Sequence, residues 1–110
     1  MSGVPRRGDV WLAQLDKVRP VVILTRDPLA GHLNTVIAAP ITSTIRGLST
    51  EVAVGLDDGV CHDAVANLDN VQLVARTRLN RRVGRVTFAT MASICVALNR
   101  AVGCEGAGAT

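Results

Sequence analysis

The stretch "APITST", Ala39 to Thr44, leaves an apolar run and ends in three consecutive hydroxyls, Thr42, Ser43 and Thr44. A hydroxyl donates one hydrogen bond without carrying charge. A cation to act with these groups stands at the start of another apolar run, where Arg19 directly precedes Pro20. Polar groups at strand ends are where small barrels place sites, and a guanidinium fork is matched to phosphate. Taken alone, Thr42 and Ser43 are more commonly turn residues that bond their own backbone, and Arg19 a solvated charge.

Further candidates lie downstream. In "AVANLDNVQLV" the alternation puts Val65, Asn67 and Asp69 on one face and Ala64, Ala66 and Leu68 on the other, so an amide and a carboxylate project together. Arg76, Arg78, Arg81, Arg82 and Arg85 form a charge-dense stretch. It reads either as a solvated helix with its flanking loop or as a series of phosphate contacts that position a nucleic acid without reading it. "CHD", residues 61–63, suggests a Cys–His nucleophile pair, but neighbours on an extended segment point to opposite faces. His32 lies in a polar loop and is expected to face solvent.

Composition narrows the classes. The 110 residues form one expected domain, 1–110, with a Gly/Ala-rich tail over 103–110 expected to fray. Although 48% of the residues are apolar, no run approaches the roughly 18 to 20 residues of a membrane span. The opening "MSGVPRRGDV" has no continuous apolar h-region, so export is not expected. Cys61, Cys95 and Cys104 are odd in number and lack C-x-x-C spacing, which argues against a disulfide framework or zinc site and for a reducing cytoplasm. No metal or other cofactor is expected.

The net charge is +3, and Lys17 is the only lysine among twelve basic residues. That bias suits a polyanion partner, and a high-GC genome produces it equally well. The only aromatics, Trp11 and Phe88, are too few for a module that stacks successive bases on exposed rings. Bound RNA would have to be held by polar groups.

The positioning elements follow from periodicity. "DVWLAQLD" alternates as a first strand, and "RPVVILT" is a continuous β-branched run expected to be covered on both faces. The few residues between them imply a tight antiparallel hairpin. In "RDPLAGHLN", Asp27 is expected to cap a helical turn with Pro28 at its first position. "TVIAAPI" reads as a strand ending at Pro40, and "TEVAV" as another. After Thr77, "RLNRR" is expected to be a short helix or turn before the last strand, "VGRV".

Thr87 is expected to cap a closing helix with Met91, Ile94, Cys95, Leu98 and Val102 at helical spacing. Ala92, Val96 and Ala97 make its second face apolar, which points to a subunit contact. Five or six strands and this helix predict an α+β fold, mainly β: a curled sheet or partly open barrel.

In order and spacing, "RRGDVWLAQLD", "VRPVVILTRD", "VIAAPITST", "AVANLDNVQLV" and "RRVGRVTFATM" resemble the successive motifs of the MazF/PemK (Kid-like) toxin endoribonucleases, from Arg7 to about Gly103. The resemblance implies a small SH3-like barrel of the plasmid-toxin (MazF/Kid/CcdB) type with a C-terminal amphipathic helix. It also implies a homodimer that cuts single-stranded RNA without metal and is restrained by an acidic, MazE-like antitoxin. By the same resemblance the catalytic arginine falls on Arg19, the catalytic threonine on Thr42 with Ser43 beside it, and the acidic position on Asp69. Asn67 stands where some relatives carry an arginine, which leaves the general acid open. Ser43, Asn67, Arg76, Arg78 and Arg82 are the expected substrate-binding residues. Many relatives have a long glycine-containing loop between the first two strands, whereas "LDKVRP" is short.

Two rival functions suit the same barrel. One is a CcdB-like gyrase poison, which has no need of Arg19 and the Thr42–Ser43 pair. The other is a non-catalytic RNA- or peptide-binding barrel, since a fold does not fix a function.

Overall fold

The computed structural model of the chain describes residues 3–27 and 34–103. Pro28, His32 and the tail beyond Gly103 therefore lie outside the described residues, and with them the expected Asp27–Pro28 helical turn and the loop histidine. The strands are β1 (Asp9–Gln14), β2 (Val18–Ile23), β3 (Thr35–Thr42), β4 (Glu51–Val54), β5 (Ala64–Asn67), β6 (Gln72–Ala75) and β7 (Leu79–Arg85), followed by the helix α1 (Phe88–Val102). They pair antiparallel in the order β4-β5-β3-β2-β1-β7, and β6 also pairs with β3. β4 and β7 end this path without pairing with each other. The result is the expected α+β fold, with a curled sheet that does not close into a barrel. Among the described residues no helix is long and apolar enough to cross a membrane.

The continuous β-branched run of β2 is covered on both faces, as its composition requires. Val22 packs with Val10, Ile41, Leu68 and Ile94 in one core, whereas Val21 and Ile23 pack with Trp11, Ala13, Val36 and Val74 in another. The β1–β2 hairpin turns through Leu15–Lys17, with Gln14 opposite Val18 and the Leu15 amide donating to the Lys17 carbonyl at 3.0 Å. This short turn keeps Arg19 next to the turn residues.

β3 does not end at Pro40 but continues to Thr42. Its partner on one side changes there, from β6 up to Ala38 to β5 from Ile41 onward. The backbone of Ile37 bonds toward Leu24 and Thr25, so by alternation the nitrogen of Pro40 faces the side where the partner changes. A missing donor costs little in that gap, and β3 delivers Thr42 past it.

The alternation of "AVANLDN" is also interrupted. β5 stops at Asn67, and Leu68–Asn70 form a single 3-10 turn in which the Asn67 side chain accepts from the Asp69 amide at 3.0 Å. Asn67 and Asp69 thus come together through a side-chain cap rather than a continuous strand, while Leu68 stays in the core.

The arginine stretch differs as well. Only Arg76–Arg78 form a 3-10 turn, and Leu79–Arg85 form a strand along β1. β1 needs a partner on that edge, and charged residues on an outer strand discourage sheets from pairing edge to edge. A Cβ on Gly84 would lie 2.7 Å from the Gly59 Cα and 2.8 Å from the Asp58 carbonyl oxygen, so β7 passes the Leu56–Asp58 turn in backbone contact. The buried Asp58 carboxylate fixes that crossing by accepting from the Gly55 amide at 3.1 Å and the Thr87 amide at 2.9 Å.

Thr87 caps α1 as expected, its hydroxyl oxygen accepting from the Thr90 amide at 3.1 Å, and Gly103 ends the helix in the left-handed region at φ 69°. The buried face differs in part. Ile94 and Ala97 are buried, Met91, Leu98 and Ala101 pack beside them, and Val102 is exposed. Ala97 therefore faces the core, leaving Ala92 and Val96 on the outward face.

Candidate active site

The tight hairpin brings Asp16 and Arg19 within reach of each other. Arg19 donates from Nε to Asp16 Oδ1 at 2.9 Å and from Nη2 to Asp16 Oδ2 at 3.1 Å, a two-pronged pair. These hydrogen bonds from the guanidinium, with its charge, hold the Asp16 carboxyl well below the ordinary carboxylate range, at about 2. The carboxylate in turn raises the Arg19 pKa above its ordinary value. Asp16 engages only the Nε–Nη2 edge, so the Nη1 edge of the planar fork is turned to another direction.

Thr42 ends β3, and its Oγ1 accepts from the Thr44 amide at 3.1 Å. That is the local turn bond expected of a threonine in this position, and it leaves the hydroxyl proton to donate elsewhere. The turn role and the donor role are compatible.

Arg19 and Thr42 belong to a wall shared by two grooves. The first, of about 700 Å³, is lined further by Asp16, Thr44, Arg46, Asn67, Asp69 and Gln72, among others. Its rim after β3 is held by Glu51, whose Oε1 accepts from the backbone amides of Arg46, Gly47 and Leu48. Asp69 Oδ2 accepts from the Thr50 hydroxyl. The carboxylate that orients Arg19 is thus Asp16, and Asp69 is tied to the β4 side of the groove. The second groove, of about 400 Å³, takes Ser43 into its lining together with Lys17, His62 and Arg81.

The expected site residues therefore separate. Arg19, Thr42, Asn67 and Asp69 meet in the first groove, and Ser43 lies in the second with Arg19 and Thr42. Arg76, Arg78 and Arg82 line neither groove. Arg78 donates to the Gln14 carbonyl at 3.3 Å, and Arg82 donates from Nε to the buried Asp9 at 3.2 Å. Arg81, the neighbour of Arg82 on β7, joins Arg19 in lining the second groove. Reading 79–85 as a strand would have separated these two by alternation. Cys61 and His62, expected on opposite faces, both line that groove, because residues 61 and 62 form a bend rather than an extended strand. Asp16 had a sequence signal that went unused: an acid three residues before an arginine across a hairpin turn.

Residues 6–102 match the family model described as the PemK-like, MazF-like toxin of type II toxin-antitoxin systems. The chain belongs to this family. Among PemK/MazF relatives, a probable endoribonuclease, MazF5 of Mycobacterium tuberculosis, is 39% identical over 108 residues, covering 96% of this chain and 99% of the relative. Endoribonuclease MazF3 of the same species is 44% identical over 92 residues, 84% of this chain and 89% of the relative. The structure of Mycobacterium tuberculosis toxin MazF-mt6 superposes with a TM-score of 0.83 at 39% identity, covering 86% of this chain and 96% of that one. A mycobacterial endoribonuclease solved with its cognate antitoxin gives 0.83 at 34% identity, covering 90% and 95%. The PemK/MazF fold thus extends over nearly all of the chain, including both grooves.

Proposed function

We infer that this chain is the toxin of a type II toxin-antitoxin pair, an endoribonuclease that cuts single-stranded RNA at a short sequence and thereby stops translation and growth. One observation carries the reading at residue level: a guanidinium and a hydroxyl from different strands, Arg19 on β2 and Thr42 on β3, line the shared wall of two grooves of about 700 and 400 Å³. The family membership supplies the activity class, since mycobacterial relatives are named as an endoribonuclease and a probable endoribonuclease.

The ribose 2′-oxygen attacks the adjacent phosphorus, negative charge grows on the non-bridging oxygens, and the bond to the 5′ oxygen breaks. The Nη1 edge of Arg19 and the Thr42 hydroxyl donate to those oxygens as the charge develops, where preorganised donors are most effective. Asp16 fixes the plane of the guanidinium in advance. Asp69 accepts the 2′ proton, and the leaving 5′ oxygen regains a proton from water in the open groove. The products are a 2′,3′-cyclic phosphate and a 5′-hydroxyl.

In this reading the protein acts in the cytoplasm as a homodimer, with the outward Ala92–Val96 face of α1 available for association. Its inhibitor is an acidic MazE-like antitoxin whose disordered tail folds onto the grooves; a mycobacterial relative has been solved in complex with its cognate antitoxin. Incubating the purified protein with labelled RNA in the presence of EDTA tests the reading. Cleavage that survives chelation and is lost in Arg19→Ala supports it. Intact RNA rejects it, and trapped gyrase complexes would indicate a gyrase poison instead.

A further inference from the structure

The two grooves that meet at Arg19 and Thr42 differ in chemistry, and we propose that the larger one carries most of the discrimination among RNA sequences while the smaller one chiefly grips the nucleotide across the cut. The inference rests on the ribonuclease reading above and adds a division of labour to it. A phosphodiester held at the shared wall has a nucleoside on each side, so each groove receives one flank of the cut.

The larger groove presents Asn70 and Gln72 beside Asp69 and Thr44. A side-chain amide carries a donor and an acceptor together, and a carboxylate only accepts, so these groups can match the hydrogen-bonding edge of an unstacked base. The backbone that carries them is also held in place. Asn70 belongs to the 3-10 turn secured by the Asn67 cap and by the Thr50–Asp69 hydrogen bond, and Gln72 sits opposite Ala38 on paired strands. Preset geometry is what discrimination by hydrogen bonding requires.

The smaller groove is walled by Leu12, Val18, Ile41 and Val60, with Lys17 and Arg81 as its added cations and Ser43 and His62 as its neutral hydrogen-bonding side chains. No amide side chain and no carboxylate lies among its described lining residues. Apolar walls contact a base face or ribose whatever the base, and cations contact phosphate whatever the sequence. Selectivity is accordingly weighted to the side of the scissile bond that enters the larger groove.

The test uses the full chain and a randomised single-stranded RNA pool, with cut ends sequenced and each variant checked for an unchanged thermal melt. Asn70→Ala and Gln72→Ala are expected to relax the base preference on one side of the cut only, by roughly 10 to 100-fold per contacted base. Arg81→Ala is expected to lower kcat/KM by a similar factor for all sequences, to reduce the slope of log affinity against log salt by about 1, and to leave the preferred site unchanged. A shifted site in Arg81→Ala, or a uniform loss in both amide variants, overturns the proposal. The same pool is also bound to Arg19→Ala carrying each second substitution. If the wild type fails to cut, the ribonuclease reading falls, while the binding preferences still decide the role of each groove. Absence of all RNA binding overturns both.

Discussion

Asp9 and Asp16 each pair with arginine side chains, and their settings are opposite. Asp9 is 2% exposed and accepts from the Arg6 amide, the Trp11 indole, Arg82 Nε and Arg85 Nη1 at 2.9 to 3.3 Å. Asp16 is 69% exposed and its side chain is engaged by Arg19. A carboxylate removed from water requires several donors, and the arginines that supply them are structural. A carboxylate in water requires none, so Asp16 holds Arg19 in position without withdrawing it from other partners. Charge type alone does not separate an arginine committed to the fold from one left available to a ligand. The burial of its partner does.

The largest effect that tests this contrast is on folding. Asp9→Ala removes two ion pairs and leaves the buried Trp11 indole N–H without its partner, and is expected to cost about 3 kcal/mol in denaturant unfolding, with specific activity per folded molecule retained. A small loss would mean that the Asp9 cluster is no more structural than the exposed pair. Arg19→Ala should do the reverse: RNA cleavage falls by about 100 to 1000-fold, while the denaturant midpoint stays at the wild-type value. Thr42→Val removes a neutral donor at nearly constant volume and should lower kcat by about 100-fold. The freed Thr44 amide is exposed, so stability is retained. Single-turnover kinetics beside thermal melts would separate the two outcomes for each variant.

What the sequence made legible follows the same division. The β2 run, the hairpin, the helix and its Thr87 cap could be read because periodicity and capping are local. The passage of β3 through Pro40 could not, because the missing amide falls where the partner strand changes, and that is a property of the whole sheet. Nor could β7 be read as a strand, since an arginine-rich segment extends there only because β1 offers an edge. Along that strand Arg82 turns to Asp9 and Arg81 to the second groove, a separation that only the strand reading reveals. Arg19 and Thr42 were recognisable by residue type and motif, whereas Asp16 gains its role from a turn short enough to fold it back.

The smallest effect is the most discriminating, because it concerns the exposed pair alone. Arg19 lowers the Asp16 carboxyl to about 2 from the ordinary 3.8, so the pair favours the folded state wherever Asp16 is ionised. The stabilisation is fully present above the unfolded value and is lost as pH falls through the folded one. The stability difference between the wild type and Asp16→Asn should therefore be constant at neutral pH and disappear between about pH 4 and pH 2. It should be slight throughout, since both groups are wet. Cleavage by Asp16→Asn at neutral pH should fall on the order of 10-fold in kcat with KM little changed, as expected when a guanidinium loses its alignment but keeps its charge. Unaltered kcat together with tighter RNA binding would show that Asp16 competes with phosphate for Arg19, and the exposed pair would then be a restraint on the site rather than its support.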